Sequence, residues 1–160
     1  MALMVLVLQI FLLDNISIAM WLRPMIFPLV VILLPMEWRM VWSLLVALAV
    51  GLVMDLSLGG SGLYTSSLLP VAVLRPWAMF LTTGRTVEHG DQSALLSRLA
   101  TRQVLLYVAG AMLAHHTIFF LLETLSLASP MRLVVTIVMS TLLSVVVSAP
   151  IIQLFKSKIA

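Results

Sequence analysis

Apolar residues run in blocks along this chain, and the polar breaks between the blocks are short. Met1 to Leu13 is the first block, closed by the polar stretch of Asp14, Asn15 and Ser17. Arg23-Pro24 opens a second, which contains Pro28 and reaches Pro35, so prolines set both its first turn and its end. Met40 to Leu58 and Leu63 to about Thr83 are joined by Gly59-Gly60-Ser61-Gly62, a break so brief that the fourth segment must return antiparallel to the third. After Gly84 to Ala100, a polar loop in which Leu95, Leu96 and Leu99 suggest a short interfacial helix, come Arg102 to Leu122 and Leu133 to about Phe155. About 20 apolar residues cross a bilayer as a helix. The pattern therefore predicts an all-α integral membrane protein, a single domain over residues 1–160. Its bundle has about six transmembrane helices, near 1–13, 24–36, 40–58, 63–83, 102–122 and 133–155, the first two short.

Two helices carry stripes of small or hydroxylated residues at four-residue intervals, which places each stripe on one face. In the third segment these are Ser43, Ala47 and Gly51, ending at Asp55; in the last they are Thr136, Ser140, Ser144 and Ser148. Such faces let helix backbones approach closely, so both should point inward. A secretory leader is the rival reading of the amino terminus, with Ser17-Ile18-Ala19 as a cleavage site. No Lys or Arg precedes the apolar run, which favours a short first helix.

Composition sharpens the class. The chain is 62% apolar and 9% charged over 160 residues, against about 45 to 50% apolar for soluble domains. Cysteine is absent, which excludes disulfides and thiolate chemistry. The net charge of +3 rests on few residues and reflects loop topology rather than nucleic-acid binding. With even numbers of spans, Arg39, Arg85, Arg98, Arg102, Lys156 and Lys158 share the side of the termini, whereas Arg23 and Arg132 lie opposite. The positive-inside rule then puts both termini in the cytoplasm.

Ionisable groups inside the apolar segments cost about 2.5 to 3.5 kcal/mol each at a helix centre on insertion scales, so each requires a partner or a purpose. Gln103 to Leu122 carries His115 and His116 and ends at Glu123; Asp55 and Arg75 stand in the third and fourth segments. Counting helical rise puts Asp55, His115 and His116 in the outer half of the bilayer, and His116 and Glu123 share a face. Geometry permits, without requiring, a polar cluster of Asp55, His116 and Glu123, and one reading is a proton relay or transport pathway built on these residues. A second is that Asp55 caps or hydrogen-bonds the glycine turn and each histidine satisfies a carbonyl or hydroxyl, and a third is that these groups grip another membrane protein. Arg75 before Pro76 either fills the carbonyl that the proline frees one turn back or reaches the cytoplasmic headgroups. Tyr107, Trp21, Trp38, Trp42 and Trp77 fit interfacial belts. Adjacent histidines point about 100° apart on a helix, which argues against a metal site, and no serine stands in a nucleophile elbow. No cofactor or enzymatic activity is expected.

The order and spacing of these elements resemble the rod shape-determining protein MreD family, in particular its Bacteroidetes branch. The residues that carry the resemblance are Arg23-Pro24, Gly51-Leu52-Val53-Met54-Asp55-Leu56 before the glycine turn, Leu74-Arg75-Pro76-Trp77, His115-His116 and Leu122-Glu123. It implies a non-enzymatic scaffold of the cell-elongation (rod) complex in the bacterial inner membrane, acting on cell shape and peptidoglycan synthesis. The implied partners are the bitopic protein MreC, with the MreB filament and RodA with its transpeptidase linked directly or indirectly. Membrane lipid surrounds the bundle, and self-association stays open. Gly51, Asp55, Arg75, His115, His116 and Glu123 become candidates for structural or partner-docking roles. The family fold is also similar to the substrate-binding subunits of energy-coupling-factor transporters, so the alternative function is a vitamin-type binding or transport subunit.

Overall fold

The structure, a computed structural model, describes residues 2–13, 23–36, 38–84, 99–124 and 129–159. Every regular element among the described residues is helical. α1 (Ala2–Leu8) runs on into a π-helical turn, Gln9–Leu13, and α2 is a five-residue helix, Pro28–Ile32. Four long helices follow: α3 (Met40–Leu58), α4 (Leu63–Thr83), α5 (Thr101–Thr124) and α6 (Pro130–Ile159). The expected interfacial helix at Leu95 to Leu99, the amino-terminal cleavage-like site and Trp21 lie wholly or largely outside the described residues.

Among the described residues three helices are long and apolar enough to cross a membrane: Met40–Leu58, Thr101–Thr124 and Pro130–Leu154. α4 has the length, at 21 residues, but Arg75, two prolines and its hydroxylated positions dilute its apolarity. A second helix over 24–36 is not what forms. Such a helix would need the amide of residue 28 to donate to the carbonyl of residue 24, and Pro28 has no N–H. Pro28 instead opens α2, residues 23–26 are non-helical, and Leu33 ends the helix outside α-helical geometry.

α3 to α6 pack in chain order, α3 on α4, α4 on α5 and α5 on α6, while α2 touches α1, α3, α4 and α5. Every residue from Pro24 to Leu33 is buried, so the irregular segment is the centre of the molecule. The polar pattern is inverted relative to a soluble bundle. Ser43, Asp55, Ser67, Arg75, His115, His116, Ser140, Ser144 and Ser148 are buried, whereas Leu45, Leu48, Leu52 and Leu56 of α3 and Val135, Val138, Leu142 and Val146 of α6 face outward. Both stripes, from Ser43 to Asp55 and from Ser140 to Ser148, point inward. Trp38, Trp42 and Trp77 are exposed.

Candidate functional site

The α3–α4 turn is built around one carboxylate. Gly59 closes α3 in the left-handed region at φ 68°, and Gly62 enters α4 at φ 91°, conformations that suit a residue without Cβ. Glycine at the start of α4 supplies no side chain to its free amides. Asp55 does so from the last turn of α3. Its Oδ1 accepts from the amides of Gly62 and Tyr64 at 3.0 and 3.1 Å. Its Oδ2 accepts from the amide and hydroxyl of Thr65 at 3.0 and 2.6 Å. A negative group at the donor end of a helix is also favoured electrostatically. Gly51, one turn earlier, is where α3 and α4 meet most closely: a Cβ there would stand 2.6 Å from Thr65 Cα.

The buried segment 23–36 is held differently. Beside the backbone bonds in and around its single helical turn, five of its backbone groups bond to side chains of other elements. Gln9 brackets the start, donating to the Pro24 carbonyl at 3.2 Å and accepting from the Ile26 amide at 2.7 Å. The Met25 amide donates to Ser144 Oγ of α6 at 2.9 Å. At the far end, the Tyr107 hydroxyl of α5 donates to the Ile32 carbonyl at 3.0 Å. Arg75 of α4 donates through Nη2 to the Leu34 carbonyl and through Nη1 to Ser43 Oγ of α3, the latter at 3.0 Å. At the C-terminal end of α2, the Leu29 and Val31 carbonyls accept from Leu33 and Leu34, that of Ile32 is filled by α5, and that of Leu34 just beyond the helix by α4.

Arg75 thus neither reaches headgroups nor fills the carbonyl freed by its own proline. Only 3% exposed, it ties the end of segment 23–36 to α3 and α4. Tyr107 is fully buried rather than interfacial, because its hydroxyl has an internal acceptor. From sequence alone, Gln9 has no assigned role, Tyr107 falls in an interfacial belt and Ser144 is only one member of a packing stripe. The available signal was weak: a lone amide in the run Met1–Leu13, a tyrosine well inside an apolar run, and the middle of the serine stripe.

The histidines bond to helix backbone, one to its own helix and one to α4. A carbonyl only accepts, which assigns the proton of His116 to Nδ1, donating to its own helix at Met112 O, 2.8 Å away. Nε2 then accepts from the Ser144 hydroxyl at 3.4 Å, and Ser144 in turn accepts from Met25. His115 Nδ1 faces the Ser67 carbonyl of α4 at 3.4 Å, with its ring edge-on to Phe27 at 5.2 Å. His115 Nε2, Arg75 Nε and the hydroxyls of Ser140 and Ser148 are buried without a hydrogen-bond partner among the described residues.

The anticipated cluster of Asp55, His116 and Glu123 does not form. Asp55 is committed to α4, His116 to Ser144 and Met112, and Glu123 to an ion pair with Arg23 at 2.8 Å, half-exposed at the bundle's edge. A shared depth for Asp55 and His116 and a shared face for His116 and Glu123 do not bring the three together, because each has a nearer backbone group, side chain or charge to satisfy. Among the described residues no three His, Cys, Asp or Glu side chains converge as metal ligands. A shallow groove of about 100 Å³ lies between α4 and α5, lined by Leu74, Trp77, Ala78, Gly110, Ala111 and Ala114 among others. Small-molecule sites are typically about 300 to 1,000 Å³. Comparison of the chain with protein-family models, curated proteins and solved structures found no match.

Proposed function

We propose that this chain is a multi-pass membrane protein whose role is to hold other membrane proteins in place, of the kind the MreD resemblance implies. What supports the membrane reading is the inverted surface: three long apolar helices, apolar outer faces and a buried polar set. The observation that carries the non-catalytic reading is the engagement of that polar set. Asp55, Arg75, Tyr107, His116, Ser144 and Gln9 bond chiefly to the chain's own backbone. In this proposal the protein sits in the inner membrane with both termini cytoplasmic, binds an MreC-like bitopic partner and acts with the MreB filament and RodA in wall synthesis.

One observation favours the second reading, a vitamin-type binding or transport subunit. Transporter sites are often formed where helices break at the bundle centre, as residues 23–36 do here. Capture of the tagged protein from its native membranes in mild detergent, followed by mass spectrometry, separates the two. Recovery of the bitopic partner and wall-synthesis proteins supports the scaffold; recovery of ATP-binding-cassette ATPases with a coupling subunit replaces it.

A further inference from the structure

Residues 23–36 traverse the bundle, and the contacts along them mark the path. Arg23 meets Glu123, Met25 meets Ser144 beside His116, Ile32 meets Tyr107, and Leu34 meets Arg75 beside Ser43. On α5 alone, the interval from residue 123 back to 107 is about 24 Å at ~1.5 Å per residue. The segment covers it with only five helical residues. It is thus a crossing with too few residues and too many prolines to cross as a helix, which takes about 20. Exposed to lipid, each unbonded amide or carbonyl of its irregular stretches would cost several kcal/mol.

Apolar burial cannot supply the missing driving force, because lipid is as apolar as the bundle interior. What remains are the side-chain bonds, and their partners lie far along the chain: Gln9, Arg75, Tyr107 and Ser144. We propose that residues 23–36 are a strap that crosses the membrane only when docked, its crossing specified by these side chains of α4, α5, α6 and the π turn rather than by its own hydropathy. The strap therefore takes its place after α6 has joined the bundle. This inference rests on the membrane reading above.

The absence of cysteine makes the test direct, since single cysteine reporters stand alone. Arg23→Cys and Trp38→Cys mark the two ends of the strap, and Ser61→Cys and Ala100→Cys mark opposite ends of the α4–α5 pair. Each is placed in the full chain and labelled in sealed vesicles with a membrane-impermeant maleimide applied from one face. In the otherwise unaltered chain, the Arg23 and Trp38 reporters label from opposite faces. Adding Gln9→Leu, Tyr107→Phe and Ser144→Ala is expected to lower that opposite-face preference at least about tenfold, while the Ser61 and Ala100 reporters keep theirs. Tyr107→Phe alone, which retains the ring, is expected to lower it about threefold. An unchanged preference in both variants overturns the strap, and so does equal scrambling of the Ser61 and Ala100 pair. Loss of the unaltered chain from membranes in alkaline carbonate instead overturns the membrane reading on which the strap depends.

Discussion

The α3–α4 hairpin and the strap are both cores of buried polar groups, yet they are specified over very different lengths of chain. Asp55 reaches residues seven to ten positions ahead. Ser144 reaches Met25 across 119 positions, Tyr107 reaches Ile32 across 75, and Arg75 reaches Leu34 across 41. The hairpin is therefore a local unit whose turn, cap and close approach sit in one stretch of sequence. The strap is a shared product of almost every helix in the molecule. Damage should accordingly stay confined in the first and spread in the second.

The largest effect is expected at Asp55. Asp55→Ala removes the acceptor for four donors at the start of α4 and should cost about 3 kcal/mol or more, with Asp55→Asn near ~1. Thermal unfolding in mild detergent measures both, and an unaltered midpoint for the alanine variant would remove the carboxylate from its central place. Gly51→Ala comes next. The new methyl meets the backbone of Thr65, so a loss of about 1 to 3 kcal/mol is expected on the same instrument, with hydrogen exchange rising only in α3 and α4.

Moving to the strap, Arg75→Lys replaces a fork that reaches Leu34 and Ser43 together by a single ammonium on a shorter reach. About 1 to 2 kcal/mol should be lost, and exchange should rise at residues 33–36 as well as in α4. A change limited to α4 would contradict the shared character of the site. Ser144→Ala leaves the Met25 amide and His116 Nε2 without their partner, for about 1 kcal/mol. Its signature is faster exchange at Met25, far from the substitution in sequence. Smallest is Glu123→Gln at the half-exposed ion pair with Arg23, expected to stay within about 0.5 kcal/mol and to vanish in high salt. A larger loss there would mean that the strap is anchored at its entrance more than along its length.

The contrast explains what could be read in advance. Every feature of the hairpin is written locally: the four-residue stripe, the glycine turn and a carboxylate one turn before it. Those residues alone suggest capping by Asp55 beside a relay and a partner-gripping role, and helical periodicity gives the inward face of Ser43, Ala47 and Gly51. Arg75 and the histidines were legible as groups in need of partners, since a buried charge or imidazole in an apolar run demands one. Which partners they take was not legible. Depth along a helix is countable, but azimuth and neighbour are not, and the supposed union of Asp55, His116 and Glu123 failed for that reason.

By itself, the sequence determined that this is an apolar, helix-rich chain, because a high proportion of apolar residues in blocks with short breaks leaves few other solutions. Its prolines bound the second apolar block, which the sequence alone reads as a short helix near 24–36, whereas only Pro28–Ile32 is helical. Only the tertiary structure decided where that block goes and what holds it. Its free amides and carbonyls have no partners within the segment, and the groups that satisfy them come from helices up to 119 residues away. Long-range pairing of this sort depends on how the helices pack, and a linear pattern of apolar and polar positions carries no record of it.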